Sequence, residues 1–353
     1  MVVVDKLYKK IINEVDESKI TYDKIIQICL DILKNIADNN ELKIINENTL
    51  IKKISKIIFD TLDNHEDYFE KIVMLIGYLH QKQNEYITIN NYINSISKRT
   101  SKRKTNGMYY TDFELAKLII DDVLEEYLKV HKVNDLENAT FLEPCVGTGN
   151  FVFAYLTKID ELLANKKVIS EESIKSIVNN IYVVDKDKEA IKIYRNILPL
   201  FVKHKWNIEI SDIDINNNIY NKGLLFDTKK GDISKISIEH IFPDFFDDNK
   251  GFDIIATNPP YKMLKVLKNH YNNDEKYKKD KAFMKKFVKH IRTNNYYNYA
   301  SQGTLNFYKF FIEEILEDYS HNTSNIGLLI PINLLSDKYC EKLRKRIINN
   351  YQL

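Results

Sequence analysis

The chain has 353 residues, room for about two domains at ~150 residues each and for a core that needs no covalent staples. Hydrophobic residues make up 44% and charged residues 29%, which excludes wholesale disorder and collagen-like repeats. Lysine and arginine number 52 against 50 acids, a net charge of +2, so any affinity for nucleic acid has to come from local patches.

Cys29, Cys145 and Cys340 stand far apart and form neither a metal spacing nor a disulfide framework, so the expected compartment is a reducing cytoplasm. The N-terminus, MVVVDKLYKK, offers three apolar residues before charges begin, which is no signal peptide. No run of about 18 uncharged apolar residues exists, and no membrane partner is expected. Glycine is scarce, with only 9 in the chain, yet Gly147 and Gly149 stand one residue apart. Of the 6 prolines, Pro259 and Pro260 are adjacent. Those two places invite a backbone explanation.

Residues 1–97 read as an all-helical bundle. Apolar residues recur at helical spacing in TYDKIIQICLDILKNIA, TLIKKISKIIFDTL and DYFEKIVMLIGYLHQ. Within it, Glu41-Leu42-Lys43 has the E-x-K form of a nuclease centre with Asp31 upstream. The helix–loop context argues against that role, and no H-x-x-x-H pair exists, so no catalytic metal is expected. Residues 98–106 form a basic linker; its KRTSKRK run is either a solvated connection or a phosphate-contacting strip.

From 107 onward, strands alternate with helices, the pattern of a mostly parallel α/β sheet. TDFELAKLIIDDVLEEYL predicts a helix with Thr111 as N-cap and Glu114 closing a capping box. ATFLEP, NNIYVVDKD, FDIIAT and NIGLLIP predict strands. NFVFAYLTKIDELL, EAIKIYRNIL, LNFYKFFIEEILEDY and KYCEKLRKRIINN predict helices. Residues 205–230 are Asn/Asp-rich and carry no clear assignment.

FLEPCVGTGNFVF reads as strand, turn and helix. Gly147 and Gly149 permit a sharp turn and a close approach of ligand to bare backbone, and the following helix points free N–H groups at any anionic group there. Glu143 ends the strand, where open α/β sheets bind ligands. Asp185 ends the next strand and can hydrogen-bond a ribose; Asp187 is its rival, and solvated loop acids are the bland alternative for both.

FDIIAT runs directly into Asn258-Pro259-Pro260-Tyr261. The two prolines fix the backbone and remove two N–H donors. The Asn258 amide oxygen and the Pro259 carbonyl then form a rigid pair of acceptors suited to an exocyclic amine. Tyr261 offers a ring for a planar base, a contact worth ~1–3 kcal/mol in single-strand binders. A merely stiff turn is the bland alternative.

These segments together resemble the gamma class of S-adenosylmethionine-dependent DNA adenine-N6 methyltransferases found in restriction–modification enzymes, in particular the bifunctional branch. The resemblance covers about 107–348. GMYYT resembles the family's opening motif, with Asp112 in place of the usual proline, and implies that Tyr110 and Thr111 bind the cofactor, Thr111 by helping to hold its carboxylate. EPCVGTGNF resembles the cofactor glycine motif, usually D-P-x-C-G-x-G-N-F, with Val146 standing before Gly147, and implies contacts from Glu143, Pro144, Cys145, Gly147, Gly149 and Asn150. VVDKD resembles the ribose motif, a role carried to Asp185. GDIS implies that Asp232 binds the cofactor's adenine amine and that Ile233 packs on its ring. NPPY is the family's catalytic motif, implying catalytic roles for Asn258, Pro259, Pro260 and Tyr261. LNFYKFF and GLLIPINLLSDKYCEKLR resemble the segments that follow it.

The resemblance implies a Rossmann-like methyltransferase domain over 107–353, incomplete at its C-terminus. It also implies a site-specific adenine DNA methyltransferase that flips its target base out of the duplex. Such enzymes carry a target-recognition domain, which is absent here, so a longer protein or a specificity subunit is expected to supply it. Lys262, Lys265 and Lys268 are the DNA-facing candidates, and Lys276–Arg292 adds cations interleaved with Tyr277, Phe283 and Phe287. Two rivals stand beside this reading. Protein glutamine methyltransferases use NPPY on a carboxamide nitrogen, and a non-catalytic methyltransferase-like scaffold would dock a partner through the bundle.

Overall fold

The computed structural model describes residues 2–14, 21–39, 41–45, 49–62, 65, 67–93, 111–164, 170–211, 218–228, 233–248, 250–268, 271 and 273–352. The linker at 98–106, Gly107, Tyr110 and Asp232 lie outside the described residues. The chain divides into two units, one built from Met1–Gln83 with Tyr110–Asn221 and one containing Lys222–Leu353.

In the first unit, helices α1 (Val2–Glu14), α2 (Tyr22–Asn39) and α3 (Thr49–Leu62), and α4 (Tyr68–Ile93) as far as Gln83, occupy the N-terminal segment. Along α2, Ile25, Cys29, Ile32 and Ile36 recur every three or four positions and are buried together, the stripe an amphipathic helix presents to a core. Ile54, Ile57, Ile58 and Leu62 do the same for α3. Helix α5 (Phe113–Leu128) then leads to strand β1 (Phe141–Glu143) and helix α6 (Asn150–Leu163). Helix α7 (Glu171–Asn179), strand β2 (Ile181–Val184), helix α8 (Lys188–Trp206) and strand β3 (Ile219–Tyr220) complete the unit. The three strands pair in parallel in the order β3-β2-β1, with Glu143 opposite Val183 and Val184 opposite Tyr220.

The helical segment is packed into this unit rather than held at arm's length. Helix α2 lies against α8. Phe69 stacks on His204 at 4.3 Å, and Lys203–Asp38 and Lys205–Glu70 pair at 2.8 and 2.6 Å.

The second unit holds the antiparallel pair β4 (Phe226–Asp227) and β5 (Ser234–Lys235), then the short helix α9 (Pro243–Asp248) and strand β6 (Phe252–Thr257). Helix α10 (Asp274–Thr293) and helix α11 (Phe307–Glu314) follow, the latter running through a π-helical stretch at Ile315–Tyr319 into strand β7 (Ser320–Leu328). Helices α12 (Asn333–Ser336) and α13 (Glu341–Asn350) close it. Strands β6 and β7 pair in parallel from Phe252↔Ser320 to Thr257↔Leu328. Among the described residues the chain is therefore an α/β protein with five parallel strands, three in the first unit and two in the second, and a helical N-terminal region. Among the described residues no helix is long and apolar enough to cross a membrane.

One expectation at a helix end is corrected. Thr111 does not cap α5. The helix starts at Phe113, and the Asp112 carboxylate accepts the Glu114 N–H at 3.0 Å, because a carboxylate one residue closer to the first turn reaches the free donors better. The Thr111 carbonyl is used differently, as described below. Helix α8 also runs past the apolar stretch EAIKIYRNIL, through Pro199, to Trp206.

Candidate functional site

The glycine turn belongs to the first unit. Strand β1 delivers Glu143 at its carboxyl end, and the loop from Pro144 to Gly149 turns the chain into α6. Val146 N–H donates to the Val184 carbonyl at 3.0 Å, tying the loop to the end of β2. Gly147 and Gly149 both have positive φ, +54° and +102°. At Gly147 a β-carbon would meet nothing within 4 Å, so the loop presents open space beside its backbone.

Asp185 joins this loop. Its Oδ2 accepts the Gly147 N–H at 2.8 Å and its Oδ1 accepts the Asp187 N–H at 2.8 Å. The Asn221 amide donates to the Asp185 carbonyl at 2.9 Å. Burial raises the Asp185 carboxyl above its ordinary value, with the two backbone donors opposing. Burial, and after it the charge of Asp185, pushes Glu143 well above the carboxylate range.

Two buried acceptors at the turn lack partners. Glu143 Oε2 accepts no hydrogen bond, and neither does Asn150 Oδ1, although the Asn150 amide donates to the Thr111 carbonyl at 2.6 Å. Buried acceptors in native proteins are normally satisfied. Two of them, one on Glu143 itself, in a loop that Asp185 joins fit a ligand that brings N–H donors and positive charge. The ammonium and sulfonium of S-adenosylmethionine meet that description.

Asp185 and Asp187 have different partners. Asp187 caps α8, its Oδ1 accepting from Glu189 and Ala190 N–H at 3.1 and 3.4 Å. Its Oδ2 lies 3.3 Å from Nε2 of His80 on α4, and this partner holds the Asp187 carboxyl below its ordinary value. Both carboxylates are thus engaged, Asp187 at the start of α8 and with His80, and Asp185 with the backbone of the glycine loop. Cys145 is half-buried beside the turn and Pro144 is buried.

The Asn-Pro-Pro-Tyr turn belongs to the second unit. It starts where the β6–β7 ladder stops, one residue past Thr257↔Leu328. Leu329 clamps both ends of the turn. Its N–H donates to the Thr257 carbonyl at 3.0 Å, and its carbonyl accepts the Tyr261 hydroxyl at 2.8 Å. The Tyr261 ring meets Tyr308 edge-on at 6.2 Å and packs against the cluster of Ile312, Leu316 and Leu334, so its plane is set. Pro259 is buried, while Asn258, Pro260 and Tyr261 are half-buried. Beyond the turn, Phe307 N–H donates to the Lys262 carbonyl and Leu264 N–H to the Leu305 carbonyl, which pins the exit strand.

Ile233, expected to pack on a cofactor ring, is buried in the second unit just before β5. Of the lysines after the turn, Lys262 is half-buried and Lys265 and Lys268 are exposed. Lys268 lies 3.5 Å from Asp274.

Sequence reasoning missed three contributors. His80 follows an apolar helical run, where a histidine reads as core. Leu329 acts through its backbone, which no side chain announces. Asn221 stands in the Asn-rich stretch that hides single residues. The capping role of Asp187 was readable, since an acid just before a helical pattern is an N-cap signal.

Among curated proteins, none matches this sequence. Among solved structures, the ATP-dependent Type ISP restriction-modification enzyme LlaBIII bound to DNA is similar at 14% identity and a TM-score of 0.47, over 98% of this chain and 25% of that one. The DrdV–DNA complex is similar at 13% identity and a TM-score of 0.49, over 99% and 34%. A type I restriction-modification methyltransferase subunit from Streptococcus thermophilus is similar at 11% identity and a TM-score of 0.41, over 97% and 59%. The chain spans a quarter to a third of the length of the first two. Residues 179–353, the stretch that holds Asp185 and the turn from Asn258 to Tyr261, match the family model described as Eco57I restriction-modification methylase.

Proposed function

We propose that the chain transfers the methyl group of S-adenosylmethionine to the N6 amine of adenine in DNA, as the methylating part of a restriction–modification system. The observation that carries the reading is the Asn258-Pro259-Pro260-Tyr261 turn, held rigid at the end of β6 inside the family-matched stretch. On this reading Glu143, Gly147, Gly149, Asn150 and Asp185 hold the cofactor, with Tyr110, Thr111, Pro144, Cys145, Asp232 and Ile233 as further contacts. The solved DNA complexes to which the chain is similar agree with DNA as the partner.

S-adenosylmethionine, when bound, supplies an electrophilic methyl group on a sulfonium sulfur. The chain's own residues prepare the acceptor. The adenine leaves the duplex, because its amine is otherwise engaged in pairing. Tyr261 stacks the extruded base. The Asn258 side-chain oxygen and the Pro259 carbonyl accept the two N6 hydrogens, which localises the nitrogen lone pair for direct attack. The N6–CH3 bond would form as the methyl–sulfur bond breaks to leave a neutral thioether, one N6 proton would then pass to water, and no covalent enzyme intermediate is needed. Catalysis is then positioning and electrostatics. Sequence specificity resides in a recognition domain or partner subunit, and the enzyme works in the cytoplasm, where its DNA is.

The test is methyl transfer to unmethylated duplex DNA by the wild type and by Asn258→Ala. The reading expects transfer to vanish in the variant while cofactor affinity, measured by calorimetry, stays within about twofold. Retained transfer in the variant removes Asn258 from the mechanism.

A further inference from the structure

Residues 276–292 hold eight cations and one acid, a net charge of +7 within a chain whose total is +2. The rest of the chain is therefore net −5. This charge is carried by α10, which begins thirteen residues after Tyr261 in the same unit. All eight cations are exposed.

The helix has two unlike faces. Phe287 and Ile291 are buried, and Phe287 meets Phe226 edge-on at 5.2 Å, so this side docks the helix. At 100° per residue, Lys278, Lys285 and Lys289 fall within about 40° of one another, on the side opposite Phe287. They span roughly 16 Å of helix axis at 1.5 Å per residue.

Lysines elsewhere in the chain are commonly neutralised, as with Lys158–Asp121, Lys203–Asp38, Lys205–Glu70 and Lys235–Glu314. Among the described residues no acid lies within ion-pair distance of Lys278, Lys285 or Lys289. The one acid of the run, Asp280, accepts the Tyr271 hydroxyl at 2.9 Å. Lys281–Lys285 and Lys285–Lys289 are like-charge pairs at i,i+4, and each costs the isolated helix a few tenths of a kcal/mol. A solvated outward face normally mixes the two signs. This one concentrates a single sign at the helix's own expense, in the unit that also holds the Asn-Pro-Pro-Tyr turn.

We propose that the outward row Lys278, Lys285 and Lys289 of α10 binds the phosphate backbone of the duplex whose adenine is methylated. This rests on the DNA reading above and deepens it. The row is a phosphate grip and carries no sequence information, since lysine acts there as a point charge. At 3.4 Å per base pair its length covers about five steps.

The experiment is the salt dependence of duplex affinity, measured by anisotropy with a labelled unmethylated duplex. It compares the wild type with Lys278→Gln/Lys285→Gln/Lys289→Gln. Glutamine keeps helix propensity near that of lysine, so α10 persists. Each neutralised phosphate contributes about 0.9 to the slope of log affinity against log salt, so the triple variant should lose roughly 2.7 from the slope. Cofactor affinity should stay within about twofold. A control variant, Lys9→Gln/Lys175→Gln/Lys345→Gln, should keep the wild-type slope. An unchanged slope in the α10 variant overturns the proposal, as does an equal loss in the control. Equal weakening toward a polyglutamate peptide overturns the duplex assignment. A wild type that methylates DNA while the α10 variant keeps its slope defeats this inference alone; a wild type that methylates no DNA defeats the functional reading itself.

Discussion

Replacing Gly149 by alanine probes the glycine turn in a way that its neighbour Gly147 does not. At Gly149, φ is +102°, and a β-carbon would lie 2.6 Å from Cδ2 of Tyr194 and 2.7 Å from Cε2 of Phe153. Both rings are fully enclosed, so neither can swing aside into solvent. Backbone strain of about 1–3 kcal/mol and overpacking of similar size together predict a loss of roughly 2–6 kcal/mol, a large part of a typical stability of about 5–15 kcal/mol. At Gly147, φ is +54° with nothing within 4 Å of the new carbon, so alanine costs only about 1–2 kcal/mol. The chain's single tryptophan, Trp206, ends α8 in the same unit, so its fluorescence during urea unfolding reports that unit. Gly149→Ala should lower the midpoint sharply and Gly147→Ala slightly, with unchanged slopes. Equal midpoints, or the reverse order, refute the reasoning.

Three further outcomes follow from the same geometry. Tyr261→Phe keeps the ring and loses the bond to the Leu329 carbonyl, so it should cost about 1 kcal/mol of stability and retain transfer. Tyr261→Ala should lower transfer roughly 5- to 150-fold, the worth of one base stack at about 1–3 kcal/mol; similar rates for the two variants would deny the stacking role. Glu314 is pushed up to about 8 by burial, against the pull of the Lys235 ammonium at 3.0 Å. Its folded value lies above its unfolded one, so its contribution is fully present below about pH 4.5 and is lost as pH rises through about 8. Glu314→Gln should therefore flatten the stability profile over that window, and an unaltered profile would exclude Glu314 as its source. His80→Ala should weaken cofactor binding several-fold by freeing Asp187, whose N–H orders Asp185. In a double-mutant cycle with Asp187→Asn the two effects should not add, and full additivity would separate His80 from the site.

Much of the scaffold was legible because periodicity is a local property. The α6 pattern NFVFAYLTKIDELL coincides with the helix Asn150–Leu163, and FDIIAT coincides with β6. In Lys276–Arg292 the sequence offers helical core spacing of the aromatics and a DNA-facing row of cations as equal readings, because the mostly polar surface of α10 leaves only a narrow buried stripe at Phe287 and Ile291. The cap of α5 went to the wrong residue because Thr111 and Asp112 are both good caps in sequence, and only the backbone angle at Asp112 decides. The candidate site's local geometry was legible where it rests on side chains of fixed type, as in the positive φ of Gly147, the bond from its N–H to Asp185 and the pinned Asn-Pro-Pro-Tyr turn. It was hidden where it rests on backbone groups or on residues far apart in the chain. The Leu329 clamp and the His80–Asp187 contact, 107 residues apart, are of that kind.

The most direct measurement is nucleoside analysis of unmethylated duplex DNA incubated with the protein and isotopically labelled S-adenosylmethionine, then digested and resolved by mass. The account predicts label in N6-methyl-2′-deoxyadenosine, and none when Asn258 is replaced by alanine. Label in a cytosine product, in the protein alone, or in no acceptor despite measurable cofactor binding would contradict it.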